Sequence, residues 1–182
     1  MSKVYIFFAD GFEDIEGLTV VDLMRRAGID IQTVSIKETR EIRTSHGINI
    51  LTDCTFSECD FSDADMLVIP GGMPGTKNLE RSPDVQRAVV FCAENKKYIA
   101  AICAAPSILG HLGLLEGKEA VCYPGFEEEL RGAVLSAEPV CEDGNMITAK
   151  GAGVAVEFGL KLVGIFCGAK TASDLKAGIQ CQ

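Results

Sequence analysis

The sequence predicts an open, mostly parallel α/β sheet with helices on both faces, and three observations predict it. Residues 4–9, 65–69 and 98–102 are short apolar runs without period-2 alternation, the pattern of strands buried on both sides. Stretches with apolar residues at helical spacing alternate with these runs, as a parallel sheet requires of its crossovers. Finally, Tyr98-Ile99-Ala100-Ala101-Ile102 runs into Cys103 and then Ala104-Ala105-Pro106. This reads as strand, very tight turn and helix, since proline suits a first helical turn.

Residues 4–9 form the first strand. Asp10-Gly11-Phe12-Glu13-Asp14 is a turn, with Asp14 as the expected helix cap. Val20, Leu23, Met24 and Ala27 follow the i, i+3, i+4, i+7 rule, and Gly28 ends that helix. Residues 29–36 complete a βαβ unit, 37–43 are a charged loop, and Thr44-Ser45-His46-Gly47 turns between short β segments. Residues 48–52 are a small excursion from the main sheet. The strand at 65–69 ends in Pro70-Gly71-Gly72-Met73-Pro74-Gly75, where glycines permit close backbone approach. After Pro83, Val85, Ala88, Val89 and Cys92 mark an amphipathic helix that leads to the 98–102 strand. Residues 119–122 read as a further short strand, followed by Tyr123-Pro124-Gly125 and a small acidic helix from Phe126. Residues 140–141 and 146–148 read as a hairpin. Gly151-Ala152-Gly153 opens a last long helix with Ala155, Phe158, Gly159, Leu162, Val163 and Phe166 on one face.

At 182 residues, the chain fits one domain covering 1–182. Its 47% hydrophobic and 24% charged content is that of a globular protein with a sizeable core. The net charge of −9 argues against nonspecific binding to nucleic acid or an anionic membrane. No signal peptide is visible after Met1, and no stretch reads as the ~20 apolar residues of a membrane span. The eight cysteines include no C-x-x-C, and there are only two histidines, His46 and His111. That combination speaks against a zinc site and for free thiols in a reducing cytoplasm.

Ligands of such sheets bind outside the carboxyl ends of the strands. The rule gathers residues 10–16, 70–75, Cys103 and Tyr123 at one rim. Cys103 sits in the geometry of a nucleophile elbow, with Ala101 and Ala105 where serine hydrolases carry glycines. The first N–H groups of the following helix favour thiolate there. A buried structural cysteine fits the same local pattern, and the rim position favours the functional reading. Glu13 and Asp14 read as solvated first-turn acids, whereas Glu16 lies deeper. A buried, protonated Glu16 would donate a hydrogen bond to a thiolate. The amides of Gly71 and Gly72 would serve as oxyanion donors.

Residues 8–16, 21–29, 68–72 and 100–106, with Lys150-Gly151-Ala152-Gly153, resemble the ThiJ/PfpI superfamily, in order and over nearly the whole chain. The likeness is to the branch of the parkinsonism-associated deglycase, including its bacterial members. The resemblance implies a flavodoxin-like sandwich, usually dimeric, with a reactive cysteine that oxidises to the sulfinic acid. By motif that cysteine is Cys103, its carboxyl partner Glu16, with backbone N–H groups from Gly72 and Ala104. Arg26 and His46 match positions between the active site and the partner subunit. The implied activity is glyoxalase or deglycase chemistry on methylglyoxal and its adducts, without metal or other cofactor. Two departures matter. Ala104 stands where peptidase-type relatives carry histidine, which argues against a Cys-His peptidase. Tyr123 precedes Pro124 where glyoxalase relatives often carry histidine, and tyrosine is a poor base near neutral pH. The enzyme reading takes Cys103 as nucleophile, Glu16 as acid/base and Tyr123 as a substitute donor. The alternative is a redox sensor or chaperone-like stress protein switched by oxidation of Cys103.

Overall fold

The structure, a computed structural model, describes residues 2–181. In chain order the elements are β1 (Lys3–Phe8), α1 (Asp14–Arg26), β2 (Asp30–Ser35), β3 (Glu41–Arg43), β4 (Asn49–Leu51) and β5 (Cys54–Thr55). Then come β6 (Met66–Ile69), α2 (Gly75–Arg81), α3 (Pro83–Glu94), β7 (Tyr98–Ile102), α4 (Pro106–His111) and β8 (Glu119–Ala120). The chain finishes with β9 (Val134–Leu135), β10 (Val140–Asp143), β11 (Met146–Ala149) and α5 (Ala155–Gly178).

Seven strands form the main sheet in the order β10-β11-β7-β6-β1-β2-β5. All neighbours are parallel except the antiparallel pair β10–β11. The apolar runs explain why. In β1, Val4, Ile6 and Phe8 join one core while Tyr5 and Phe7 join the other. One core is closed by α1 and α5, through Val20, Leu23 and Met24 against Phe158, Leu162 and Val163. The other is closed by α2, α3 and α4, with Leu79, Val85, Val89, Cys92, Ile108 and Leu109. Strands buried on both faces cannot alternate in polarity, so their sequences read as continuous hydrophobic runs.

The predicted fold class holds, and several details differ. The helix cap is Glu13, not Asp14: Glu13 is extended (φ −80, ψ 128) and its carboxylate accepts the N–H of Glu16 at 2.8 Å. The 37–43 loop contains β3, which pairs with β4 in a separate two-stranded sheet around the 44–47 turn. Only Glu119–Ala120 of the 119–122 segment is strand, and it pairs with β9 outside the main sheet. The acidic helix is one 3-10 turn, Glu127–Glu129. The hairpin β10–β11 is present, and β11 also lies parallel to β7, with Ala149 beside Ile102. By length and hydropathy α5 meets the criterion of a membrane-spanning helix, which the sequence reading did not flag. Ala155, Phe158, Leu162 and Val163 in its first half are buried in the core, the residues after Val163 are partly buried or exposed, and the helix is interrupted at Gly168 (φ 84, ψ 159).

The parallel register has one consequence for function. The ends of β1, β6, β7 and β11 leave the sheet side by side, so the turns after Phe8, Ile69, Ile102 and Ala149 converge on one rim.

Candidate active site

Cys103 follows β7 directly and has φ 66, a left-handed conformation that few non-glycine residues adopt. Such a position costs about 1–2 kcal/mol. Its neighbours hold it there. The Cys103 N–H donates to Ala149 O at 2.9 Å, Ala105 N–H donates to Ile102 O at 3.1 Å, and Tyr123 N–H donates to Cys103 O at 2.8 Å. The peptide groups of β7, β11 and the Tyr123 turn therefore fix the elbow from three sides, with the thiol half-buried at the rim.

Glu16 comes from the first turn of α1 and is 1% exposed. Its side chain is hydrogen-bonded to that of Cys103 and accepts from the amides of Gly71, at 2.9 Å, and Ala152. Burial is the largest influence on it and lifts its pKa to about 7, with the nearby Glu13 charge adding to the rise. The hydrogen bonds from Cys103, Gly71 and Ala152 oppose that rise without cancelling it. Burial likewise pushes the Cys103 thiol up to about 12, reinforced by the charge of Glu16. The amides of Gly72 and Ala104 face the sulfur and pull the other way. Two negative charges in one buried site are strongly disfavoured, so the pair behaves as one unit that surrenders its protons in coupled steps.

Glycine at 71 is a matter of space. A Cβ there would lie 2.6 Å from both Cys103 Cβ and Glu16 Oε2. Gly72 combines φ 90 with a site where a Cβ would meet Glu13 N at 2.4 Å. These close approaches bring the Pro70–Gly72 backbone between α1 and the elbow.

The structure sorts the residues singled out by sequence. Glu16, Cys103, Gly71, Gly72 and Ala104 meet at the rim. Gly71 differs from expectation, because its N–H is taken by Glu16, leaving Gly72 and Ala104 as the amides facing the thiol. Tyr123 is half exposed, and its ring edge lies 3.2 Å from where a Gly151 Cβ would stand. Glu16 Oε1 is 3.7 Å from that same point, so Tyr123 and Glu16 border one small space. The thiolate-favouring surroundings expected of Cys103 are outweighed by burial and Glu16.

Glu13 and Asp14 are not solvated. Asp14 is 9% exposed and its Oδ2 lies 2.6 Å from Nδ1 of His46. Burial alone would raise Asp14, but hydrogen bonds from Thr44 and His46 hold its pKa below the usual carboxylate range, and Asp14 in turn raises His46. This pair ties the β3–β4 turn to the start of α1. Arg26 pairs with Asp22 at the far end of the same helix, about 15 Å along it from Glu16. Within the chain, His46 stands near the site and Arg26 does not.

Among the described residues, Glu13, Asp14 and His46 form a cluster with ligand atoms within 4.8 Å of one another. Glu13 is engaged as helix cap and Asp14 with His46, and the positive end of α1 disfavours a cation there. Sequence reasoning missed Ala152 as a donor to Glu16. Its signal was the 150–153 stretch following a strand, which becomes decisive only once β11 is known to run parallel to β7.

The pattern of the DJ-1/PfpI family matches residues 2–164. Protein DJ-1 homolog B of Arabidopsis thaliana is 34% identical over 95% of this chain, which spans only 40% of that protein. The glutathione-independent glyoxalase DJ-1 of Schizosaccharomyces pombe is 31% identical over 90% of both chains. The crystal structure of the C103A mutant of a DJ-1 superfamily protein from Salmonella typhimurium superposes with a TM-score of 0.96. It is 33% identical, with all of both chains covered.

The raised pKa of Glu16 fixes a pH dependence of stability. Between pH 4.5, its ordinary value, and about 7, the folded protein keeps a proton that the unfolded chain has lost. This contribution is complete below pH 4.5 and disappears as pH rises through 7, an effect of up to about 3 kcal/mol. Glu16→Gln keeps a neutral group of similar shape and has no such slope. Thermal unfolding at pH 5 and pH 8 should therefore show the variant gaining on the wild type at the higher pH. An equal difference at both values would contradict the assignment.

Proposed function

The chain belongs to the DJ-1/PfpI family, and we propose that it is a cofactor-independent glyoxalase- or deglycase-type enzyme of the cytoplasm. Its substrates are small α-oxoaldehydes such as methylglyoxal, or their early adducts. The observation that carries the reading is the buried Glu16 carboxyl, lifted to about 7 and hydrogen-bonded to Cys103. A general acid/base works best with a pKa near the operating pH, and this group has one beside a strained thiol. The glyoxalase name of the S. pombe relative supports the same reaction class.

The chemistry follows from these groups. As the sulfur of Cys103 attacks the aldehyde carbon, Glu16 takes the thiol proton, which overcomes the thiol's raised pKa. The new oxyanion faces the amides of Gly72 and Ala104 and receives that proton to give a hemithioacetal. Glu16 then removes the proton from the former aldehyde carbon and returns it to the neighbouring carbon through an enediol. The product is a thioester, and water releases lactate and restores the thiol. Tyr123 borders the same space and serves as a proton donor to the second carbonyl oxygen, and it recovers its proton from the first carbon's hydroxyl as the enediol becomes the thioester. Ala104 supplies no imidazole, so the arrangement does not suit a Cys-His peptidase.

A second reading rests on Tyr123 occupying the place of a base. In it, Cys103 is a sensor whose sulfinic acid is held by Glu16 and the Gly72 and Ala104 amides, with the oxidised rim as the signal.

We also propose a homodimer. Ile15 and Leu18 on α1, with Ile48 and Leu51 on and beside β4, are exposed. The Asp14–His46 pair and the bond from Ser45 N–H to Phe12 O hold these two elements together. A second copy of the chain fits this apolar face, with His46 and Arg26 near it.

Lactate formation from methylglyoxal by purified protein tests the enzyme reading. Slow turnover is expected in the wild type, with none in Cys103→Ala. Loss of the acid/base in Glu16→Gln should cost ~10²–10⁴-fold, and Tyr123→His should raise the rate. Turnover that survives in Cys103→Ala overturns the enzyme reading. Sedimentation at micromolar concentration should give twice the 19.4 kDa chain mass, falling towards the monomer in Leu51→Glu; a wild-type monomer rejects the dimer.

A further inference from the structure

A second pair of sulfurs lies far from Cys103. Cys54 is in β5, the outermost strand of the main sheet, and Cys59 follows a one-turn 3-10 helix at Phe56–Glu58. That turn is tightly built. Glu58 accepts from the Thr55 N–H at 2.7 Å, and the Cys59 N–H donates to Phe56 O at 3.2 Å. The Phe56 ring packs against Phe7 and Phe61. The turn folds the chain back so that the two Sγ atoms stand 3.0 Å apart. Non-bonded heavy atoms ordinarily sit about 3.5–4.0 Å apart, and a disulfide needs about 2.05 Å. Both residues are free thiols and partly exposed. Closing the remaining gap asks for about 1 Å of side-chain movement.

We propose that Cys54 and Cys59 are a reversible dithiol site that is oxidised to an intramolecular disulfide by low-molecular-weight disulfides such as glutathione disulfide. In the first step the Cys54 thiolate attacks one sulfur of the oxidant, its S–S bond breaks, and one thiolate leaves. Cys59 then loses its proton and attacks Cys54 Sγ, expelling the second thiolate. The protein loses two hydrogen atoms, and the oxidant becomes two thiols. Cys54 is the entry sulfur, because the hydrogen bond from Cys59 and the charge of Arg40 favour its thiolate. Asp53 and Glu58 oppose it, and burial keeps both thiols largely protonated, with Cys59 at about 12. Exchange is therefore slow at neutral pH, and its rate rises about tenfold per pH unit while the thiolate remains the minor form.

Cys103 takes no part. β6, β1 and β2 separate β7 from β5, which puts the two sites about 19 Å apart across the sheet. The pair would thus record thiol–disulfide poise reversibly, alongside a Cys103 whose sulfinic acid is a one-way product.

Trypsin releases residues 44–77 as one peptide containing Cys54 and Cys59 and no other cysteine. The full chain and its Cys103→Ala variant are incubated with glutathione disulfide at pH 8, blocked with N-ethylmaleimide and digested. In both proteins the peptide should be unlabelled and two hydrogen atoms lighter, and dithiothreitol should restore two labelling sites. Peptides carrying the buried Cys92, Cys122 and Cys141 should label fully after unfolding. Cys59→Ser should trap glutathione on Cys54. Two labelled thiols in peptide 44–77, glutathione on either sulfur of the wild type, or loss of the bridge in Cys103→Ala would each overturn the proposal.

Discussion

A carboxyl group buried against a thiol is the constraint around which this rim is built. Neither Glu16 nor Cys103 can carry a charge cheaply there, and together they cannot carry two. The surrounding backbone resolves this by donating. Gly71 and Ala152 place N–H groups on the carboxyl, while Gly72 and Ala104 face the sulfur. These donors come from the three turns that follow β6, β7 and β11, so the site exists only when those strands lie parallel and in register. The left-handed Cys103 and the side-chain-free Gly71 are what that convergence requires of the sequence.

The same constraint explains why the start of α1 is so heavily tied down. Glu13 caps the helix at the Glu16 N–H, and its own N–H donates to Gly71 O at 3.0 Å. Asp14 holds His46, and Phe12 stacks on Phe8 with ring centroids 4.1 Å apart. These ties hold the Glu16 carboxyl in hydrogen-bonding reach of Gly71 N–H and beside Cys103. The acids before it thus act on geometry, and Glu13 also acts on charge, because it raises Glu16.

Much of the fold was legible because burial on both faces leaves a direct trace: β1, β6 and β7 are uninterrupted apolar runs, and α1 and α3 show clear helical spacing. The elbow was legible less from its local pattern, which a buried structural cysteine fits equally well, than from its place at the carboxyl end of a strand, where such sheets bind ligands. What failed was short or relational. The two-residue strands β5 and β9 have too few residues to carry a period, and α2 follows a glycine-rich turn that reads as loop. Cap identity failed because Asp is the commoner cap, and only the inward turn of Asp14 to His46 leaves Glu13 to do the work. Gly71 was placed correctly at the rim, but its partner depends on how deeply Glu16 reaches, which no spacing encodes. The closeness of Cys54 and Cys59 depends likewise on a hydrogen-bonded turn.

The central claim is that Glu16 is a carboxyl held near neutrality by burial and coupled to Cys103. Carbon-13 NMR of the Glu16 side-chain carboxyl across pH 3–9 measures this directly. The account predicts a midpoint near 7 in the wild type. In Cys103→Ala the midpoint should move higher, because the hydrogen bond that favours the carboxylate is gone. A midpoint near the ordinary 4.5, or one indifferent to the loss of Cys103, would contradict it.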